Sequence, residues 1–232
     1  MARLARIVLP HLPHHVTQRG NGRQQTFFGS DDYALYRDLL GRECRAAGVE
    51  VWAWCLMPNH VHLILVPQDA DGLRRSLSQV HRRYAGAIHK REKRTGHFWQ
   101  GRFGAVAMDE AHLAAALRYV MLNPVRAGLV SRAQDWPWSS VHSHLSGNDD
   151  GVTTLAPLKA RLPGLASLLD GAGDGTGDGA GDLGEDEVHD RLRRAESIGR
   201  PLGTPEFLKQ VETTLGRQVL ARKRGPKPKQ LD

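Results

Sequence analysis

The stretch Val49-Glu-Val-Trp-Ala-Trp-Cys-Leu-Met-Pro-Asn-His-Val-His-Leu-Ile-Leu-Val66 decides the architecture of this chain. Val49 to Met57, rich in Val and Trp, reads as one strand. Pro58-Asn59 turns it into a second, His60 to Val66, which Pro67 closes. Side chains alternate along an extended strand, so Val61, Leu63 and Leu65 share one face while His60, His62 and Ile64 share the other. The apolar set is expected to meet helices. The two histidines are expected to stand side by side on the opposite, open face.

Outward from this pair of strands the pattern alternates. His14 to Arg19 reads as a strand. Ser30-Asp31-Asp32 offers N-capping oxygens to a helix that places Tyr33, Tyr36, Leu39, Leu40 and Cys44 on one side and stops at Gly48. Leu73 to about Arg94 reads as a long basic helix ended by Thr95-Gly96. Phe103 to Met108 supplies a fourth strand. Asp109 then caps a last helix from Glu110 to about Leu122, which Pro124 is expected to end. The order β-α-β-β-α-β predicts an α+β fold: a ferredoxin-like, split β-α-β antiparallel sheet. The extra helix is expected to lie across the histidine face.

The main domain is expected to occupy residues 1–150. A connector and linker follow at 151–186, where Gly171 to Asp186 holds seven glycines and five acidic residues and reads as a flexible tether. Residues 187–232 read as a small helical module with a basic tail, a candidate for DNA binding as a helix-turn-helix or for plain packing; in it Thr204 caps a helix with Pro205 at its first position and Gly216 as its stop.

The 232 residues carry a net charge of +7, drawn largely from arginine, which suits a nucleic-acid partner. The two cysteines, Cys44 and Cys55, form neither a disulfide framework nor a cysteine zinc site and fit a reducing cytoplasm. No stretch of about 18 apolar residues predicts a membrane span, and the N-terminus lacks the apolar core of a signal peptide.

Two imidazoles give a metal part of its coordination shell, so a third ligand is needed, with open positions left for a substrate. The last helix offers Tyr119 and Asn123, four residues apart and hence on one helical face. Asn123 brings an amide oxygen; Tyr119 brings a phenol able to attack phosphorus once its charge is stabilised. Taken alone, the histidine pair also suits structural histidines, Asn123 also suits the end of a helix before a proline, and Tyr119 also suits a core position. Tyr33, Tyr36 and Tyr84 are its rivals. Histidine ligands by themselves point to zinc, nickel or manganese.

Four segments, His15-Val-Thr-Gln-Arg-Gly-Asn21, Met57-Pro-Asn-His-Val-His-Leu63, Gly96-His-Phe-Trp-Gln-Gly-Arg-Phe103 and Tyr119-Val-Met-Leu-Asn-Pro-Val-Arg-Ala-Gly128, occur in the order seen in the single-tyrosine HUH transposases. Trp136-Pro-Trp-Ser-Ser140 continues the likeness. The sequence most resembles the branch associated with repetitive extragenic palindromes (REP). That resemblance implies that His60 and His62 bind Mg2+ or Mn2+, with Asn123 in the place of the third ligand. It also implies that Tyr119 is the nucleophile that forms a 5′-phosphotyrosine link. Single-stranded, hairpin or palindromic DNA would be the partner, and the protein a monomer or homodimer. Gly104 stands where the family often carries a lysine, which would remove one phosphate contact.

The DNA surface is readable without the family. Between Gly72 and Phe103 there are nine Lys/Arg and one acidic residue, a composition suited to phosphate binding that salt weakens steeply. Arg82, Arg83, Arg94 and Arg102 are expected contacts, and Arg19 in the first matching segment joins them. Phe98 and Trp99, among these charges, are expected to stack on unpaired bases, although both also suit a core. The rival reading is a non-catalytic nucleic-acid-binding protein on the same fold.

Overall fold

The computed structural model describes residues 6–165 and 199–219, together with Leu192, Arg194 and Ala195. The expected tether, most of the first helical stretch of the C-terminal module and most of the basic tail lie outside the described residues.

Strands β1 (His14–Arg19), β2 (Val49–Met57), β3 (His60–Pro67) and β4 (Gly104–Ala107) form one antiparallel sheet in the order β2-β3-β1-β4. Helices α1 (Ser30–Ala46) and α2 (Gly72–Glu92) connect them as the split β-α-β pattern requires. Alternation on β3 places the faces as expected. Val61, Leu63 and Leu65 pack with Leu39, Leu40, Leu73 and Leu77 of α1 and α2. Ile64 and Val66 pack with Leu113, Leu117 and Val120 of α3 (Glu110–Arg126) on the other side. On β2 a register shift between Val51 and Ala53 puts Trp52 and Ala53 both toward α3, and Trp54 then returns to the α1/α2 side. One extra residue in a strand resets its alternation in this way.

Several boundaries differ from the sequence reading. The N-cap of α1 is Gly29, and Asp32 reaches back instead, accepting the Phe28 N–H at 2.8 Å. β4 is shorter than Phe103–Met108, because Phe103 turns into the core. Helix α3 does not stop at Leu122. It runs through Pro124 to Arg126, and Gly128 at φ +66° follows its C-cap. Pro124 sits in the last turn, where only one carbonyl loses its N–H partner, and burial of the ring offsets that loss.

The free edge of β2 is covered by Trp138-Ser-Ser140: Leu56 N–H donates to Trp138 O and Ser140 N–H to Trp54 O, each at 2.9 Å. After α4 (Val141–Ser146) the connector carries a short helix, α5 (Ala156–Arg161). It packs inward through Leu158, and Leu165 after it joins the same core. Helix α6 (Pro205–Leu215) begins and ends as its sequence dictates, with the Thr204 hydroxyl accepting the Phe207 N–H at 3.2 Å and Gly216 at φ +60°. Its Val211 joins Ile7, Leu9 and Ala107 in a third core beside β4. Among the described residues no helix is long and apolar enough to cross a membrane.

Candidate active site

The geometry starts from β1 and β3. Their register sets Thr17 opposite His62 and Arg19 opposite His60, with His15 two pairs further along opposite Ile64. His15 and His62 are therefore diagonal neighbours on the face that meets α3, within reach of ring side chains. Their rings lie parallel, 5.2 Å between centroids, and His15 Nε2 stands 3.0 Å from His62 Nδ1. The His60 and His62 rings meet edge-on at 4.8 Å.

Helix α3 brings the remaining groups. Tyr119 approaches edge-on to both neighbours, 5.1 Å from the His62 ring and 5.7 Å from the His15 ring. One turn later Asn123 Nδ2 lies 3.3 Å from His62 Nε2. Arg126 places its guanidinium carbon 5.9 Å from the Tyr119 ring centroid, within range of a cation–π contact. His62, Tyr119 and Asn123 are buried and His60 is half-buried, so the site opens toward His60 and its strand neighbour Arg19.

The start of α3 is held tightly. Asp109 accepts the His112 N–H at 3.0 Å through Oδ1 and the Thr204 N–H at 2.7 Å through Oδ2, and His112 Nδ1 lies 2.6 Å from Oδ1. Burial pushes the Asp109 carboxyl up, but these hydrogen bonds outweigh it and hold it below the usual carboxylate range. The segment before α6 thus clamps the helix that carries Tyr119.

Among the described residues no three His, Cys, Asp or Glu side chains are grouped to hold a metal ion. A divalent ion at this site would draw on His60, His62 and the amide of Asn123. The residues fit such an ion. His60 Nδ1 is engaged by Asn59 Oδ1 at 2.6 Å and His62 Nδ1 by His15 Nε2 at 3.0 Å, so Nε2 of each ring is the nitrogen that would ligate; at His62 an ion would displace the Asn123 Nδ2 contact of 3.3 Å and take the amide oxygen in its place. Ligating histidines are commonly fixed through their second nitrogen in this manner.

The expected DNA-binding residues divide. Gln100 N–H donates to Arg19 O, Gly20 bridges Trp99, and Asn21 N–H donates to Phe98 O, so the 94–102 loop runs beside the open end of the site. Arg19 is the expected arginine that borders the site; Arg94 donates to Gln24 Oε1 at 3.3 Å, and Arg102 lies near Arg6, which stacks on Phe103. Arg82 and Arg83 are exposed on α2, across the sheet from Tyr119. Much of the remaining charge on α2 is neutralised within the fold. Arg74 pairs with Asp71, Arg75 with Asp69, and Arg91 with the buried Asp32.

The aromatic expectation is corrected for Phe98, which is 6% exposed and packs against Tyr84 and Trp99 in the α1/α2 core. It offers no face to a base. Trp99 is half-buried and donates its Nε1–H to His81 O at 3.0 Å, which fixes the indole against the protein. Aromatic rings between charges were read as a stacking surface, but long-range contacts draw the loop inward. Sequence reasoning assigned no role to Asn59 or His15. Both lie within matching segments, which was the available signal.

With this geometry in view, comparison with known proteins is informative. A family model described as IS200-like transposase matches residues 9–123, ending on Asn123. The chain is 30% identical over 118 residues to a Haemophilus influenzae protein assigned as a REP-associated tyrosine transposase, across 46% of this chain and 67% of that one. It is 27% identical over 115 residues to the Escherichia coli REP-associated tyrosine transposase, across 47% and 65% respectively. Among solved structures, a REP-associated tyrosine transposase bound to a REP hairpin superposes with a TM-score of 0.57 at 23% identity, covering 79% of this chain and 98% of that one. At that identity the structural likeness concerns the fold alone.

Proposed function

The chain belongs to the REP-associated tyrosine transposase family, and from that premise we propose that it cuts and rejoins single-stranded DNA flanking a hairpin, through a covalent tyrosine intermediate. One observation carries the reading: the Tyr119 ring, delivered by α3, lies 5.1 Å from an imidazole of a histidine pair on β3.

In this reading Tyr119 Oη attacks the phosphorus of a phosphodiester. The Oη–P bond forms as the P–O3′ bond breaks, the phenolic proton passes to solvent, and the released O3′ takes up a proton. The product is a 5′-phosphotyrosine and a free 3′-hydroxyl. Attack by a 3′-hydroxyl on that phosphotyrosine reverses the exchange and returns the phenol, so no external energy source is required. His60, His62 and Asn123 would hold Mg2+ or Mn2+, which supplies electrophilic polarisation of the phosphate when bound. Arg126, whose guanidinium carbon lies 5.9 Å from the Tyr119 ring centroid, would face the DNA strand beside the nucleophile. Arg19, next to His60 at the open side, would anchor the strand. Because Tyr119 is buried, its hydroxyl must be uncovered when DNA enters, by rotation of the side chain or a shift of α3.

The test is an incubation of the protein with a labelled hairpin oligonucleotide bearing a single-stranded flank and Mn2+. A protein–DNA band that survives denaturant is expected. Hairpin binding without any covalent band would instead fit the non-catalytic reading.

A further inference from the structure

Each histidine of the candidate metal pair carries a proton on one ring nitrogen and a lone pair on the other, and the surrounding contacts decide which. For His60 the decision comes from Asn59. The Asn59 amide nitrogen lies 3.0 Å from the Arg23 carbonyl oxygen, a group that can only accept. This fixes the amide, so Oδ1 is the atom facing His60 Nδ1 at 2.6 Å. An amide oxygen also only accepts; the proton of His60 is therefore on Nδ1. Asn59 is itself anchored, since its backbone carbonyl accepts the Gly20 N–H at 2.9 Å. Arg23 presents its carbonyl from a left-handed turn, at φ +61° beside Gly22 at φ +59°.

For His62 the decision comes from two sides. Asn123 Nδ2 donates toward His62 Nε2 at 3.3 Å, which requires a lone pair there. The proton is then on His62 Nδ1, and it is donated to His15 Nε2 at 3.0 Å. His15 is fully buried on β1, and its stacking on His62 leaves little freedom to either ring.

We propose that Asn59 and His15 are positioning residues that lock His60 and His62 in the Nδ1–H tautomer, so that each ring keeps its lone pair on Nε2. Solution imidazole exchanges between tautomers, and a site built from two free rings would match a metal only part of the time. Two outer partners, an amide on the turn between β2 and β3 and an imidazole on β1, remove that freedom before any ion arrives. The Arg23–Asn59–His60 chain further ties one ligand to the basic turn that follows β1. The use made of Nε2 rests on the metal reading above; the tautomer assignment does not.

The experiment is done first without metal. Imidazole 15N–1H correlation spectra at pH 8, with resonances assigned by their loss in His60→Gln and His62→Gln, are expected to show both rings as Nδ1–H. Asn59→Ala, at a half-buried turn position that leaves the core intact, is expected to move His60 toward the Nε2–H form. Asn59→Asp keeps an acceptor and is expected to retain Nδ1–H. His15→Phe, of similar shape, should shift His62 alone. Mn2+ titration followed by the EPR signal of free Mn2+ should then show affinity weakened roughly 10–100-fold in Asn59→Ala and His15→Phe, and far less in Asn59→Asp. Unchanged tautomers in both Asn59→Ala and His15→Phe overturn the proposal, and should His15→Phe fail to fold, unchanged His60 in Asn59→Ala does so by itself. Tautomers as expected in a wild-type protein that binds no Mn2+ would support the lock and reject the metal reading instead.

Discussion

Replacing Tyr119 by Phe isolates the proposed nucleophile. The substitution deletes one hydroxyl and keeps the ring that packs 5.1 Å from His62 and 5.7 Å from His15. Its cost to stability should stay near or below about 1.5 kcal/mol, the net worth of an ordinary hydrogen bond. Hairpin binding should persist, because Arg19 at the open side is untouched. Covalent adducts should vanish, and the structure sets how completely. Tyr33, Tyr36 and Tyr84 all lie in the α1/α2 core on the opposite face of the sheet. Tyr36 Oη is bonded to His81 Nε2 at 3.0 Å and Tyr84 donates to Thr26 O at 2.7 Å. Burial, with Cys55 and Asp32 nearby, pushes the Tyr33 phenol up to about 12, and burial drives Tyr36 and Tyr84 up as well. At pH 8 a phenol with a pKa near 12 is ionised to about 1 part in 10,000, some 100-fold less than an ordinary tyrosine. With the remaining tyrosines on the far face of the sheet and Tyr33 less ionised than a free phenol, adduct formation by Tyr119→Phe should fall at least about 100-fold. Denaturing gels of a labelled hairpin incubated with Mn2+ provide the assay, and mass mapping locates the modified residue. Adducts within tenfold of the wild-type rate, or a phosphotyrosine mapped elsewhere, would refute the assignment.

Three further outcomes are expected. Arg91→Ala should cost about 2 kcal/mol in urea denaturation, since the Asp32 carboxylate is 2% exposed and loses its cation while the arginine itself is half exposed. The salt dependence of DNA binding should not change in that variant, whereas Arg19→Ala should lower its slope by about one. Phe98→Ala should act as a core truncation, losing about 3–5 kcal/mol of stability, in place of a specific loss of DNA affinity. Burial holds His14 down to about 4, against backbone hydrogen bonds that favour its charge, and burial reinforced by Arg6 holds His81 down to about 3. Both bind protons in the unfolded chain below pH about 6.5 but not in the native one, so stability should fall as pH drops from about 6.5 toward 4. The slope should approach 2.7 kcal/mol per pH unit for two protons, and a flat stability profile between pH 6 and 4.5 would contradict it.

What the sequence determined by itself was whatever a short period encodes. The two-residue repeat of β3 assigned Val61, Leu63 and Leu65 to the helices and His60, His62 and Ile64 to the other face, as found. Thr204, Pro205 and Gly216 marked α6, because caps act within one turn. The helical spacing of Tyr119 and Asn123 put both on one side of α3 for the same reason. Tertiary structure alone decided which groups those faces meet. Asp32 claims Arg91 from 59 residues away, which turns one of the basic helix's charges into an internal ion pair. Phe98 is drawn into the core through Tyr84 and Trp99, and Pro124 is accommodated within α3 by burial in its last turn. Asn59 and His15 take on their places only when β1, β3 and the Arg23 turn come together. Periodicity fixes the direction in which a side chain leaves the backbone; the partner waiting there is set by contacts between distant segments, and only the folded chain specifies those.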